Sequence, residues 1–202
     1  MDWLNPPALA GAMLEAGTKK ANLPAKTILL TGILSGMFLG FTTTLFVNAL
    51  VATGDGVVAA LFFPVGFILL VLLGLELFTG NAALLPYAQM GGRISGGQVV
   101  SGLVTVYIGN LIGSVIYALL FAAIDTKFFT DAPSPVGAKV AAIATLKVVP
   151  YMSAGAAGWG TALLKGIICN WMVSLGAVMA LVTRSTIGKI FAMYLPIMAF
   201  VG

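Results

Sequence analysis

The hexad Glu76-Leu77-Phe78-Thr79-Gly80-Asn81 brings a carboxylate, a hydroxyl and a carboxamide together in the middle of an apolar stretch. Between residues 56 and 92, Glu76 is the one charged side chain. A Thr hydroxyl and backbone amides released by an interrupted helix can hold the oxygens of an anion. A helix N-terminus after the interruption adds partial positive charge. The plainer alternative for Thr79 and Asn81 is that they satisfy only the backbone of the interruption. For Glu76 a structural role carries more weight: its carboxylate accepts from orphan amides and, with Gly80, fixes the loop. A buried acid in a membrane is still a functional candidate by default.

Lys147 opens a run without charge that ends at Lys165. It sits near a membrane edge or in a vestibule, where a cation concentrates small anions, or it is an ordinary snorkelling lysine. Lys165 reads as a snorkelling cation. Asn170 lies mid-span and must hydrogen-bond a neighbouring helix or the contents of a pore. Phe63, Phe67, Phe78 and Phe200 fall near the same path, although aromatics in spans more often pack than gate. Cys169 is the single cysteine and histidine is absent, which leaves no disulfide framework, metal site or cofactor ligand set.

These groups need an element that stops partway through lipid. As one straight helix, residues 56–92 would extend roughly 55 Å, against a hydrocarbon slab of about 30 Å. The stretch is too long for one crossing and too short for two with a polar loop. A helix broken at membrane depth must have its freed backbone groups satisfied by protein or by a water-lined cavity. Composition agrees: 202 residues, 60% hydrophobic and 8% charged, describe a polytopic membrane protein and exclude a soluble domain. The net charge of +4 is spread along the chain, so it marks topology and not a nucleic-acid footprint. The Lys19-Lys20 pair follows the weakly apolar N-terminal stretch, the wrong order for a signal peptide.

Residues 1–25 read as an N-terminal surface helix on the cytoplasmic side, with Leu9, Met13 and Ala16 on one flank. Residues 26–202 form the transmembrane channel domain, with about five of six expected spans. Apolar runs cover 27–54, 57–90 (broken), 94–124, about 157–183, and 190 onward. The segment 125–146 is the extended polar one, where Pro133 and Pro135 speak against regular helix. Placing the N-terminus inside puts Lys19, Lys20, Lys26, Arg93, Arg184 and Lys189 on the cytoplasmic side and Lys127 and Lys139 outside; six against two favours it. Gly32, Gly36 and Gly40, and Gly109 and Gly113, are small-xxx-small steps suited to close helix packing. Leu29–Leu34 matches Leu163–Ile168 at an offset of 134, in spans of opposite direction. Inverted repeats of this kind surround a solute path near the midplane. The partner of the break would fall just past Gly202, so the chain reads as cut short in its second repeat.

Three stretches together resemble the formate–nitrite transporter family. They are Gly74-Leu-Glu-Leu-Phe-Thr-Gly-Asn81, Lys165-Gly-Ile-Ile-Cys-Asn-Trp-Met-Val173 and Leu195-Pro-Ile-Met-Ala-Phe-Val201. The resemblance runs from about Pro6 to the last residue. It implies a homopentamer of aquaporin-like, six-span protomers in the cell inner or plasma membrane. Each protomer has its own pore for formate, nitrite or a similar small monovalent anion. Within it, Leu77 and Thr79 match the omega loop, where the Leu helps form the outer constriction and the Thr faces the pore centre. Phe63 and Phe67 match large apolar pore-lining side chains, Asn170 the pore asparagine, Phe200 an inner constriction residue, and Lys147 the vestibule lysine that attracts anions. The family view adds a proton from a histidine in a Phe-Glu-His loop, which would begin just after Gly202.

The fold expectation is therefore an all-α polytopic membrane protein: an aquaporin-like inverted-repeat helix bundle with a broken second transmembrane helix and an incomplete second repeat. The expected partners are a small anion, membrane lipid and further copies of the chain. A neutral-solute channel of aquaporin type would need paired Asn-Pro-Ala signatures, which are missing. A membrane enzyme would need clustered Asp or His at membrane depth, and a non-transporting membrane subunit is the remaining alternative.

Overall fold

Pro6 and Pro7 stand in the first turn of a helix, where a missing N–H costs nothing, and Asn5 caps it by accepting from the Ala8 amide at 3.0 Å. The structure, a computed structural model, describes residues 2–201. This first helix, α1 (Pro6–Ala21), is more than a surface helix. At Gly17 a Cβ would fall 2.2 Å from the Leu84 carbonyl oxygen, so α1 lies directly on the backbone of a later helix. The N-terminal residues are tied too, with the Leu4 amide donating to the Val182 carbonyl at 2.7 Å.

Helix α2 (Ala25–Thr53) ends at Gly54, whose φ of +71° needs a residue without a Cβ. The broken second element follows as α3 (Gly56–Ala60), α4 (Pro64–Leu72) and α5 (Phe78–Met90). The interruption at 73–77 stands where the sequence places it. A second one, at 61–63, was not expected. There Thr42 Oγ1 donates to the Phe63 carbonyl at 2.7 Å and accepts from the Gly66 amide at 3.3 Å. Tyr194 donates its hydroxyl to the Leu61 carbonyl at 2.8 Å. Pro64 lacks an N–H and starts a new helix more readily than it continues an old one.

Helix α6 (Gly96–Asp125) opens with a reciprocal Ser95–Gln98 capping box. Its glycines meet those of α2. A Cβ on Gly113 would land 1.9 Å from the Ile33 carbonyl oxygen, and one on Gly36 2.2 Å from the Asn110 carbonyl oxygen. The two small-residue stripes are thus opposite faces of one seam, closed to backbone contact as membrane helix pairs permit.

Residues 135–146 correct the sequence reading. They are helical, part of α7 (Pro135–Ser153), because Pro135 occupies the first helical position behind the Ser134 cap. Helix α7 leaves none of its residues buried and folds back along α8 (Gly155–Met179). Tyr151 accepts there from Lys165 Nζ at 2.8 Å. Helix α9 (Thr186–Val201) then returns. Among the described residues α2, α6, α7 and α8 are long and apolar enough to cross a membrane, while 56–72 and 186–201 are shorter apolar helices. Phe67, Leu70, Leu77, Val173, Met193 and Ile197 form one buried cluster joining α4, α8 and α9 beside the break.

Candidate functional site

The break must find partners for the backbone groups it frees, and one side chain bonds two of them. Asn110, on α6, accepts from the Phe78 amide at 2.9 Å through Oδ1 and donates through Nδ2 to the Glu76 carbonyl at 3.0 Å. The same Nδ2 reaches the Gly32 carbonyl of α2 at 2.9 Å, so the break is fastened to the glycine seam.

Glu76 is 3% exposed, and its carboxylate does not accept from orphan amides as expected. One oxygen accepts from Lys20 Nζ at 2.8 Å and the other from Asn81 Nδ2 at 2.8 Å. The reason is geometric: Asn110 already takes the exposed amide, and α1 brings an ammonium within reach. Gly80 is buried against α8, where a Cβ would come within 3.3 Å of Ala177 Cβ.

Several polar groups at the break have no protein partner. Among the described residues the amides of Thr79 and Gly80 find no acceptor. The buried atoms Thr79 Oγ1, Asn81 Oδ1 and Asn170 Oδ1 are likewise unpartnered. Thr79 and Asn170 are nevertheless brought together. Asn170 Nδ2 donates to Ser174 Oγ at 3.3 Å, and Ser174 Oγ donates to the Thr79 carbonyl at 2.9 Å. Buried polar atoms in native interiors are nearly always paired with protein or water. These buried, unpartnered atoms cluster beside the break.

Two spaces flank this point. A cavity of about 260 Å³ on the α1 side is lined by Lys20, Phe67, Leu77, Gly80, Asn81 and Lys189. An open groove between α6 and α8 holds Tyr107, Asn170 and Trp171. Phe78 turns toward that groove, its ring edge-on to Tyr107 at 5.6 Å. Phe63 packs edge-on against Phe200 at 6.0 Å and against Phe46 at 6.3 Å. This aromatic cluster lies toward the α2–α3 turn, whereas Leu77 lies toward α1. Lys147 is exposed on α7 and does not line the cavity beside the break.

Lys20, Asn110 and Ser174 were not singled out from the sequence as site residues. Asn110 did carry a signal, a carboxamide inside the Gly109–Gly113 packing step. Lys20 carried none, because its partner is 56 residues away.

Comparison with known proteins identifies the family of the chain. The family model described as formate/nitrite transporter matches residues 7–202. The uncharacterized transporter YrhG of Bacillus subtilis is 33% identical over 211 residues, covering 100% of this chain and 74% of that protein. The formate channel FocA of Escherichia coli K12 is 33% identical over 208 residues, covering 100% of this chain and 69% of its own length. A solved pentameric formate channel with formate bound superposes with a TM-score of 0.71 at 29% identity, covering 88% of this chain and 68% of that one. An FNT family ion channel does so at 0.77 and 26%, covering 96% and 75%. This all-helical integral membrane chain, broken and cross-braced at Glu76–Asn81, belongs to the formate/nitrite transporter family.

Proposed function

We propose that the chain forms a conduit for small monovalent anions, formate or nitrite, that passes the break at residues 73–77. The observation that carries this is the set of open donors at the start of α5: two free amides and the unpartnered Thr79 hydroxyl, at a helix N-terminus. Phe67, Leu77, Phe78, Asn81 and Asn170 line the route around it, and Phe63 with Phe200 narrows it toward the α2–α3 turn. Lys147 attracts anions at that outer end. A bare charge crossing dry constrictions costs several kcal/mol or more in desolvation, so a proton accompanies the anion. The reading includes a cytoplasmic N-terminus, a homopentamer in the plasma membrane, and an aquaporin-like inverted repeat. The resemblance of α2 to α8, which run in opposite directions, supports the last.

Uptake of labelled formate and nitrite into proteoliposomes tests the reading. It expects uptake that rises as the outside is acidified and that glycerol neither matches nor inhibits. Glycerol flux without formate flux would place the protein with neutral-solute channels.

A further inference from the structure

We propose that the cavity enclosed by α2, α6 and α7 is a binding site for one acyl chain of a phospholipid. It shares no lining residue with the cavity beside the break.

Its origin lies in the glycine seam. At Gly32 and Gly36 the backbones of α2 and α6 touch, but at Gly40 the seam meets a ring: a Cβ there would lie 2.5 Å from Tyr117. Beyond this wedge, α7 closes over the gap, with Gly137 so near the Asp125 carboxylate that a Cβ would overlap it. The half-enclosed space left between these three apolar, membrane-length helices measures about 450 Å³.

The polar side chains on its wall are already spent. Thr43 Oγ1 donates to the Leu39 carbonyl and Thr126 Oγ1 to the Ala122 carbonyl, each at 2.7 Å. The Tyr117 hydroxyl meets Thr44 Oγ1 at 2.6 Å, and Thr44 in turn donates to the Phe41 carbonyl. Asp125 accepts from both the amide and the hydroxyl of Ser134. Ser114 is the exception. Water in such a space needs two to four polar partners, and an anion needs more. Hydrocarbon needs none.

The dimensions select an acyl chain. The lining residues of α6 run from Ser114 to Thr126, roughly 18 Å at 1.5 Å per residue, close to half of a hydrocarbon slab of about 30 Å. An apolar cavity of about 150 Å³ takes one benzene, so about 450 Å³ has room for about eighteen carbons. The mouth lies where α6 ends, beside exposed Lys127, which sets a cation at the level of the phosphate headgroup. Helix α7 buries none of its own residues, and the chain supplies the apolar packing that it lacks.

Phospholipids with a diazirine near the ester or at the tail end, photolysed in proteoliposomes of the full chain and followed by peptide mass spectrometry, test the site. The tail-end probe should mark residues 114–118, the ester-proximal probe 122–126, and both should reach Val140 and Ala141. Ala118→Phe fills the space and should lower labelling of Val140 and Ala141 at least about fivefold, while Val104→Phe, at an exposed position outside the cavity, leaves it unchanged. Should Ala118→Phe fail to fold, Ala122→Leu narrows the same space from the next turn and carries the comparison. Labelling that Ala118→Phe or its substitute leaves unchanged is contact with bulk lipid and overturns the site. No label at Val140 and Ala141, as a second copy seated in the cavity would give, overturns it too. So does labelling by a diazirine fatty acid without labelling by the phospholipid.

Discussion

Glu76 and Lys20, 56 positions apart in the chain, meet at 2.8 Å, and the second oxygen of the same carboxylate is held by Asn81 at 2.8 Å. The pair makes α1 a clamp on the break. Removing the cation strands a nearly buried charge, which costs more than the intact pair contributes. Lys20→Met should destabilise the protein by about 2–4 kcal/mol. The Lys20→Met/Glu76→Gln double variant should regain most of that loss. Thermal unfolding in detergent, arranged as a double-mutant cycle, reads the coupling. Additive losses would show that the contact does not matter.

Asn110 satisfies three backbone groups drawn from three segments. Asn110→Leu keeps the branched shape but orphans the Phe78 amide and the Glu76 carbonyl, and it removes the extra bond to the Gly32 carbonyl. At about 1–3 kcal/mol for each unsatisfied group, the variant should lose at least about 2 kcal/mol of stability together with its formate flux. Asn110→Asp, which retains only the acceptor, should fall between the two. Unfolding midpoints and liposome uptake measured on the same preparations would show whether stability and flux fall together.

The α2–α6 seam predicts opposite outcomes for one chemical change. Gly113→Ala forces a methyl against the Ile33 carbonyl and should cost about 1–3 kcal/mol through helix separation. Gly11→Ala, in α1 with nothing within 4 Å of the new methyl, should gain up to about 1 kcal/mol from helix propensity. Parallel thermal melts decide it, and equal effects at the two sites would contradict the close approach.

Thr79 separates binding from architecture. Its hydroxyl has no protein partner, so Thr79→Val should leave stability unchanged yet reduce formate flux about tenfold. Thr79→Ser should retain flux. A Val variant that unfolds early would show instead that the hydroxyl only braces the break. Ser174→Ala, which frees the Thr79 carbonyl and Asn170, should cost about 1–2 kcal/mol and flux as well.

The break at 73–77 was legible because it rests on length against bilayer thickness, a constraint no tertiary contact relaxes. The glycine stripes were legible for a similar reason, since their spacing is local to each helix. The kink at 61–63 was not, since Thr42 and Tyr194 create it from other helices. Proline was misread in α7: its position in the first helical turn, behind Ser134, makes it a start signal. The partners of Glu76 were beyond reach, because nothing near Lys20 indicates which of the chain's acids it will meet.

The clamp also bears on how the protein is made. Lys20 leaves the ribosome well before Glu76, so the ammonium is already waiting at the bilayer when the acid arrives. The carboxylate can then dock as it is inserted, with no interval alone in hydrocarbon. Deleting the first twenty-odd residues would thus harm biogenesis at the centre of the molecule, far from the cut.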